Sequence, residues 1–177
     1  MAKEFSAQDV GWFLDLCESL GVDVWIDGGW GVDALLGRQS RPHADLDIMV
    51  QWKHLDALVT ALRDKGFSDV HTDDHSAWNF VLGDQSGRLI DFHVFAFDGD
   101  RALYGRTEKP VVLRSSVYSG TGSIGGRLVK CMTAEFQVAS HSGYRLKDND
   151  FADVSALCQK FGVELPAEYA NWEDRSR

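Results

Sequence analysis

Three aspartates give the first chemical signal. Asp45 and Asp47 stand one residue apart in "HADLDIMV", an otherwise apolar run, and Asp91 lies in a second such run, "RLIDFHVF". Strand side chains alternate faces, so both members of the pair point one way while Leu46 and Ile48 point the other. Carboxylates this close repel each other and lose hydration unless a positive charge lies between them. A hard divalent cation such as Mg²⁺ fits, because it takes carboxylate oxygens and keeps positions open for phosphate. A solvent-facing strand edge explains the D-x-D pattern alone equally well. Asp91 favours the metal, because a lone aspartate in a mostly buried strand needs a partner. On neighbouring strands the three could hold two cations about 3.5–4 Å apart. Asp91 then either bridges metals or takes the proton of an acceptor hydroxyl. His93 shares its face, as a substrate ligand, a proton-transfer group or a packed, hydrogen-bonded histidine.

A second signal precedes the first. In "WIDGGWGVD", Gly28 and Gly29 stand before an expected helix over 30–36 that ends at Gly37. A helix start offers unpaired N–H groups and the positive end of the dipole to phosphate, and glycine lets the backbone approach closely. Alone, the pair reads as a tight turn. Followed by D-x-D and a third aspartate in a later strand, it supplies what a nucleoside triphosphate with Mg²⁺ requires.

Other residues carry weaker signals. Glu135 opens a late helix and either reaches an acceptor hydroxyl or complements the helix dipole. Lys147 could meet a phosphate, and Tyr144 could stack on a base or drug or pack in the core. Asp27 and Asp33 read as helix-start and turn residues. "GTGSIG", residues 120–125, fits a dinucleotide fingerprint but lacks a following helix, and reads as a flexible loop near the acceptor.

The elements that must position these groups follow from periodicity. Ser6 and Asp9 mark a helix start, and Val10, Phe13, Leu14, Cys17 and Leu20 continue it to Gly21. A strand over 22–26 leads into the glycines, and "DLDIMV" is a strand. Leu55, Leu58, Val59 and Leu62 form a helix closed by Gly66. A short strand near 67–70 and a hairpin of "WNFVL" and "RLIDFHVF" around "GDQSG" follow. Residues 98–127 read as irregular, and helices over 134–141 and 151–161 finish the chain. The class is α+β (α/β-like), a small mixed sheet flanked by helices. A catalytic core over 1–98 and an acceptor-side region over 99–177 form one compact unit.

The 177 residues suffice for a single core, and the 44% hydrophobic content is that of a globular protein. No membrane span or secretory leader is visible, so the expected location is cytoplasmic. A formal charge of −9 excludes a protein built to grip nucleic acid backbone. The stretch 101–130 nevertheless has six basic residues and one acidic, which suits either a small polyanion or a solvated loop. Cys17, Cys131 and Cys158 are far apart among apolar neighbours and read as buried reduced thiols.

The glycine pair, the aspartate pair and the third carboxylate resemble the nucleotidyltransferase superfamily with the DNA polymerase β-like core. "WIDGGWGVDALLGRQSRPHADLDI" and the later "HSGYRLKDNDFADVSAL" are most similar to the small lincosamide nucleotidyltransferases, and next to the aminoglycoside 2''-nucleotidyltransferases. The resemblance implies transfer of a nucleoside monophosphate, usually from ATP, to a drug hydroxyl with loss of pyrophosphate. It implies Mg²⁺ on Asp45 and Asp47, with Asp91 as third carboxylate and candidate base. Gly28, Gly29 and Trp30 would lie at the nucleotide, with Arg38, Arg41, His43 and Lys147 steadying its charge. His93, Glu135 and Tyr144 would serve the acceptor. The superfamily often has Ser at the second glycine, so Gly29 removes one hydroxyl contact to phosphate. A homodimer fits the resemblance. Two alternatives stand beside it, a toxin–antitoxin-type transferase acting on protein or RNA, and a binding module that has lost its chemistry.

Overall fold

A computed structural model describes residues 4–105 and 107–170. The elements are α1 (Ala7–Ser19), β1 (Val24–Ile26), α2 (Gly28–Leu36), β2 (Leu46–Gln51), α3 (Trp52–Asp64), β3 (Ser68–Val70), β4 (Asn79–Gly83) and β5 (Leu89–Asp98). Then come β6 (Arg101–Tyr104), β7 (Val111–Arg114), a 3-10 turn (Ser115–Tyr118), β8 (Gly120–Ile124) and β9 (Arg127–Cys131). Helices α4 (Ala134–Ser140), α5 (Asp148–Phe161) and α6 (Ala167–Ala170) follow. The strands form one mixed sheet ordered β3-β4-β5-β2-β1-β9-β8, with β6 and β7 added alongside β5. The expected α+β class with a mixed sheet and helices is what the chain adopts.

Alternation along the central strands separates two faces. Leu46, Ile48 and Val50 of β2 and Ile90, Phe92 and Val94 of β5 belong to the main core, with buried residues of α1, α2 and α3. Leu55, Leu58 and Leu62 are the buried stripe of α3, spaced as a helix requires. Asp47, Met49, Asp91, His93 and Phe95 therefore share the opposite face. There Trp25, Met49, Phe95, Tyr118 and Met132 make a second, smaller core. Trp25 meets Phe95 edge-on at 5.5 Å and donates through Nε1 to the Tyr118 carbonyl at 2.7 Å.

The expected helix at residue 30 begins two residues earlier. Asp27 is the N-cap, so the glycine pair forms the first turn of α2 instead of preceding it. The N–H groups without partners belong to that turn. The first helix matches its signal, because the Ser6 hydroxyl accepts from the Asp9 N–H and the Asp9 carboxylate accepts from the Ser6 N–H.

The stretch 98–127 departs from expectation. It holds β6, β7, the 3-10 turn and β8. "GTGSIG" is not a flexible loop, because its first five residues are β8, paired with β9 and packed on α2. A Cβ on Gly122 would lie 2.3 Å from the Ala34 carbonyl, so this glycine permits close approach of strand and helix. Three of the six basic residues over 101–130 are neutralised by ion pairs. Arg101 pairs with Asp98, Arg127 with Asp15 and Glu18, and Lys130 with Asp23. Arg106 lies outside the described residues.

Candidate active site

Strands β2 and β5 run parallel with Asp47 directly opposite Asp91 and Met49 opposite His93. Side chains opposite each other on adjacent strands share a face, so the register brings the two carboxylates together. Asp47, Asp91 and His93 each offer a ligand atom within 4.8 Å of the others. His93 Nε2 is 3.8 Å from Asp47 Oδ1 and 3.9 Å from Asp91 Oδ1. Asp91 Oδ1 is buried without a hydrogen-bond partner. Asp45 precedes β2 by one residue, outside this tight group.

The electrostatics are those of crowded acids. Burial, above all, pushes Asp91 up to about 6; Asp47 and Asp45 add to the rise, and His93 offsets part of it. Asp45 is raised by burial and then by the Asp47 charge. For His93 burial works downward, but the neighbouring Asp47 carboxylate and the charges of Asp91 and Asp27 outweigh it and raise it to about 9.

A strut of hydrogen bonds runs outward from His93. Its Nδ1 is 3.4 Å from the Tyr104 hydroxyl, which donates to Asn79 Oδ1 at 3.0 Å. The Asn79 amide donates to Asp74 Oδ2 at 2.7 Å. Neither Tyr104 nor Asn79 stands out in the sequence. Asp27 was also underestimated. It is the expected helix-start residue, and it is also a fourth acid at this site. Its carboxyl is raised by burial, relieved by His93 and raised further by Asp47. An aspartate closing an apolar strand just before the glycines was the available signal.

Gly28 lies against Asp47. It has φ +56°, and a Cβ there would fall 2.1 Å from Asp47 Oδ2. Gly29 lies against Arg41 and His43, where a Cβ would be 2.5 Å from His43 Nδ1 and 2.7 Å from Arg41 Nη2. The pair therefore fits where two sets of polar side chains press on one helical turn.

The other residues singled out by sequence are more scattered. Trp30 is 2% exposed, packs in the main core and donates through Nε1 to the Phe5 carbonyl at 3.1 Å. It offers no face to a nucleotide. His43 is 3% exposed, tilted against Trp30, with Nε2 2.5 Å from Asp33 Oδ2. Asp33 is correspondingly no turn residue but a buried partner within α2. Arg41 donates to His43 Nδ1 at 3.0 Å and to Asp153 Oδ2 at 2.8 Å. Arg38 is exposed just past the C-cap of α2, about 13 Å along the helix from the glycines. Glu135 is exposed in the first turn of α4, and Lys147 is the exposed N-cap of α5. Tyr144 is exposed and donates to Asp150 Oδ1 at 3.0 Å, so it is not a core residue.

Known proteins resemble the chain in sequence and in fold. The chain is 31% identical over 152 residues to a lincosamide resistance protein of Staphylococcus haemolyticus, covering 82% of this chain and 90% of that one. Its fold matches the lincosamide antibiotic adenylyltransferase LnuA with lincomycin bound, at TM-score 0.77 and 28% identity, over 88% of this chain and 98% of that one. It also matches the fold of ANT(2'')-Ia in complex with adenylyl-2''-tobramycin, at TM-score 0.65 and 19% identity, over 97% and 98% of the two chains. Residues 10–157 match the model of the aminoglycoside-2''-adenylyltransferase family. This nucleotidyltransferase chain belongs to that family.

Proposed function

We propose that the protein transfers AMP from ATP to a hydroxyl group of a lincosamide antibiotic, with Mg²⁺ as cofactor, in the cytoplasm. The observation that carries this reading is the parallel register of Asp47 and Asp91 beside the first turn of α2. The donor set fits Mg²⁺: hard carboxylate oxygens of Asp45 and Asp47, close enough that the Asp47 charge raises the Asp45 carboxyl. Asp45 and Asp47 would hold the ion, and when bound it would neutralise phosphate charge. The N–H groups of Gly28 and Gly29 face the triphosphate at the positive end of α2. The acceptor oxygen forms a bond to the α-phosphorus, the bond to pyrophosphate breaks, and the hydroxyl proton passes to Asp91. Its buried Oδ1 has no hydrogen-bond partner, which leaves it available to take that proton. His93, 3.8 Å from the Asp47 oxygen and 3.9 Å from the Asp91 oxygen, would steady the carboxylates.

Lincosamide is favoured because the relatives named for it stand at 31% and 28% identity, against 19% for the tobramycin complex. The matching family's description keeps aminoglycosides as the second reading. The deciding assay is pyrophosphate release, with mass spectrometry of the drug, for ATP and Mg²⁺ with lincomycin, clindamycin or tobramycin. Adenylylated lincomycin is the expected product; turnover of tobramycin alone transfers the assignment to aminoglycosides, and no turnover with any of them removes it.

A further inference from the structure

A buried polar chain crosses the molecule beneath the glycine turn. Asp33 of α2, His43 and Arg41 of the following loop, and Asp153 of α5 are joined by contacts of 2.5, 3.0 and 2.8 Å. Asp33, His43 and Asp153 are each at most 3% exposed. Arginine only donates, so His43 Nδ1 accepts from it and Nε2 donates to Asp33. The chain fixes the imidazole and the guanidinium at one height, and a Cβ on Gly29 would fall 2.5 Å from His43 Nδ1 and 2.7 Å from Arg41 Nη2. Arg41 Nε is buried without a partner. With that donor unpaired, the salt bridge to Asp153, the His43 bond and a longer bond to the Pro42 carbonyl at 3.4 Å hold the guanidinium in place.

The same helix holds α2 at its other end. Lys160 of α5 donates to the carbonyls of Leu35 and Leu36, both at 3.0 Å, capping the negative end of the dipole. Thus α5 grips α2 from both termini.

We propose that Asp153 is a positioning residue for the nucleotide. Acting through Arg41 and His43, it sets the height of the first turn of α2, and so the place where the Gly29 backbone meets phosphate. This rests on the functional reading above. An aspartate needed only for packing would change the amount of folded protein; a positioning aspartate changes nucleotide affinity in the molecules that do fold.

The test measures KM for ATP and for lincomycin, titrates a non-hydrolysable ATP analogue, and follows thermal unfolding in wild type, Asp153→Asn, Asp153→Glu and Arg41→Lys. Asp153→Asn removes the anionic partner of Arg41 while nearly keeping its shape. Arg41→Lys keeps a cation but loses the fork that reaches both Asp153 and His43. The expected result is a rise of about tenfold in KM for ATP and in the analogue's Kd for both, with KM for lincomycin within about twofold. Asp153→Glu recovers most of the loss. If Asp153→Asn does not fold, Arg41→Lys carries the same expectation. Unchanged nucleotide affinity in the folded variants, or equal losses for both substrates, overturns the inference. A wild type that binds the analogue without turning over lincomycin removes the drug assignment and leaves the titration to judge Asp153. A wild type that binds no analogue overturns both.

Discussion

The Asp47 carboxylate lies so close to the Cα of Gly28 that a methyl group there would fall 2.1 Å from its Oδ2. The glycine also has φ +56°, a conformation that L-residues adopt at a cost of about 1–2 kcal/mol. Gly28→Ala therefore combines backbone strain with displacement of a carboxylate. We expect transfer to fall by about 100-fold or more, since misplacement by about 1 Å has that scale of effect. Steady-state kinetics with a circular dichroism spectrum separates this outcome from unfolding, and activity near wild type would show that the contact is unimportant.

Asp47→Ala removes one of several crowded negative charges from an open face. Transfer is expected to be lost while the unfolding midpoint holds or rises, because Asp91 and Asp45 are relieved of repulsion. Parallel activity and thermal-melt measurements check this. Retained turnover would refute a metal-binding role for Asp47.

The hairpin turn supplies the pH prediction. Asp84 accepts from the N–H groups of Ser86 and Arg88, from the Ser86 hydroxyl and from the Arg88 guanidinium. Burial pushes its carboxyl up, but the Arg88 and Ser86 hydrogen bonds outweigh this and hold it below the usual range. A depressed folded pKa contributes stability that is present above the unfolded value of about 3.9 and lost as pH falls through the folded value. Asp84→Asn should thus destabilise at pH 7 by about 1.5–3 kcal/mol, with the difference shrinking in acid. Urea titrations at pH 7 and at pH 3 read it, and an equal loss at both would exclude the charge as its source.

Thiol chemistry tests the burial of the core. Cys17 and Cys131 are buried, and burial raises each thiol to about 12. Cys158 is partly exposed, and its thiol faces the Glu164 carbonyl at 3.7 Å. A thiol reagent at pH 8 should label Cys158 within minutes and the other two only in denaturant. Rapid native labelling of Cys17 or Cys131 would contradict the packing of α1 or β9.

The carboxylate site was legible because it depends on a two-residue alternation in β2 and β5, which sequence displays directly. Whether those strands are neighbours is set by register, and the parallel pairing of Asp47 with Asp91 had to be seen. Glycine content misled at 120–125. There small residues serve close packing of β8 on α2, a tertiary cause that composition cannot distinguish from a loop. The charged residues between the motifs misled differently. Arg41 and His43 have the chemistry of phosphate ligands, yet their partners are Asp33 and Asp153, the latter 112 residues away from Arg41. No local pattern announces a pairing over that distance.

Strand β9 inserts between β8 and β1 and runs parallel to β1 at Ile26, just before the glycine turn. Strand β1 is thus sealed by a segment made about a hundred residues after it. A ribosome-bound chain that ends before residue 127 would leave the flank of β1 uncovered, and α2 without its clamp. Catalytic competence should therefore emerge only once α5 has been made, so premature stop codons upstream of α5 should yield inactive fragments rather than miniature enzymes.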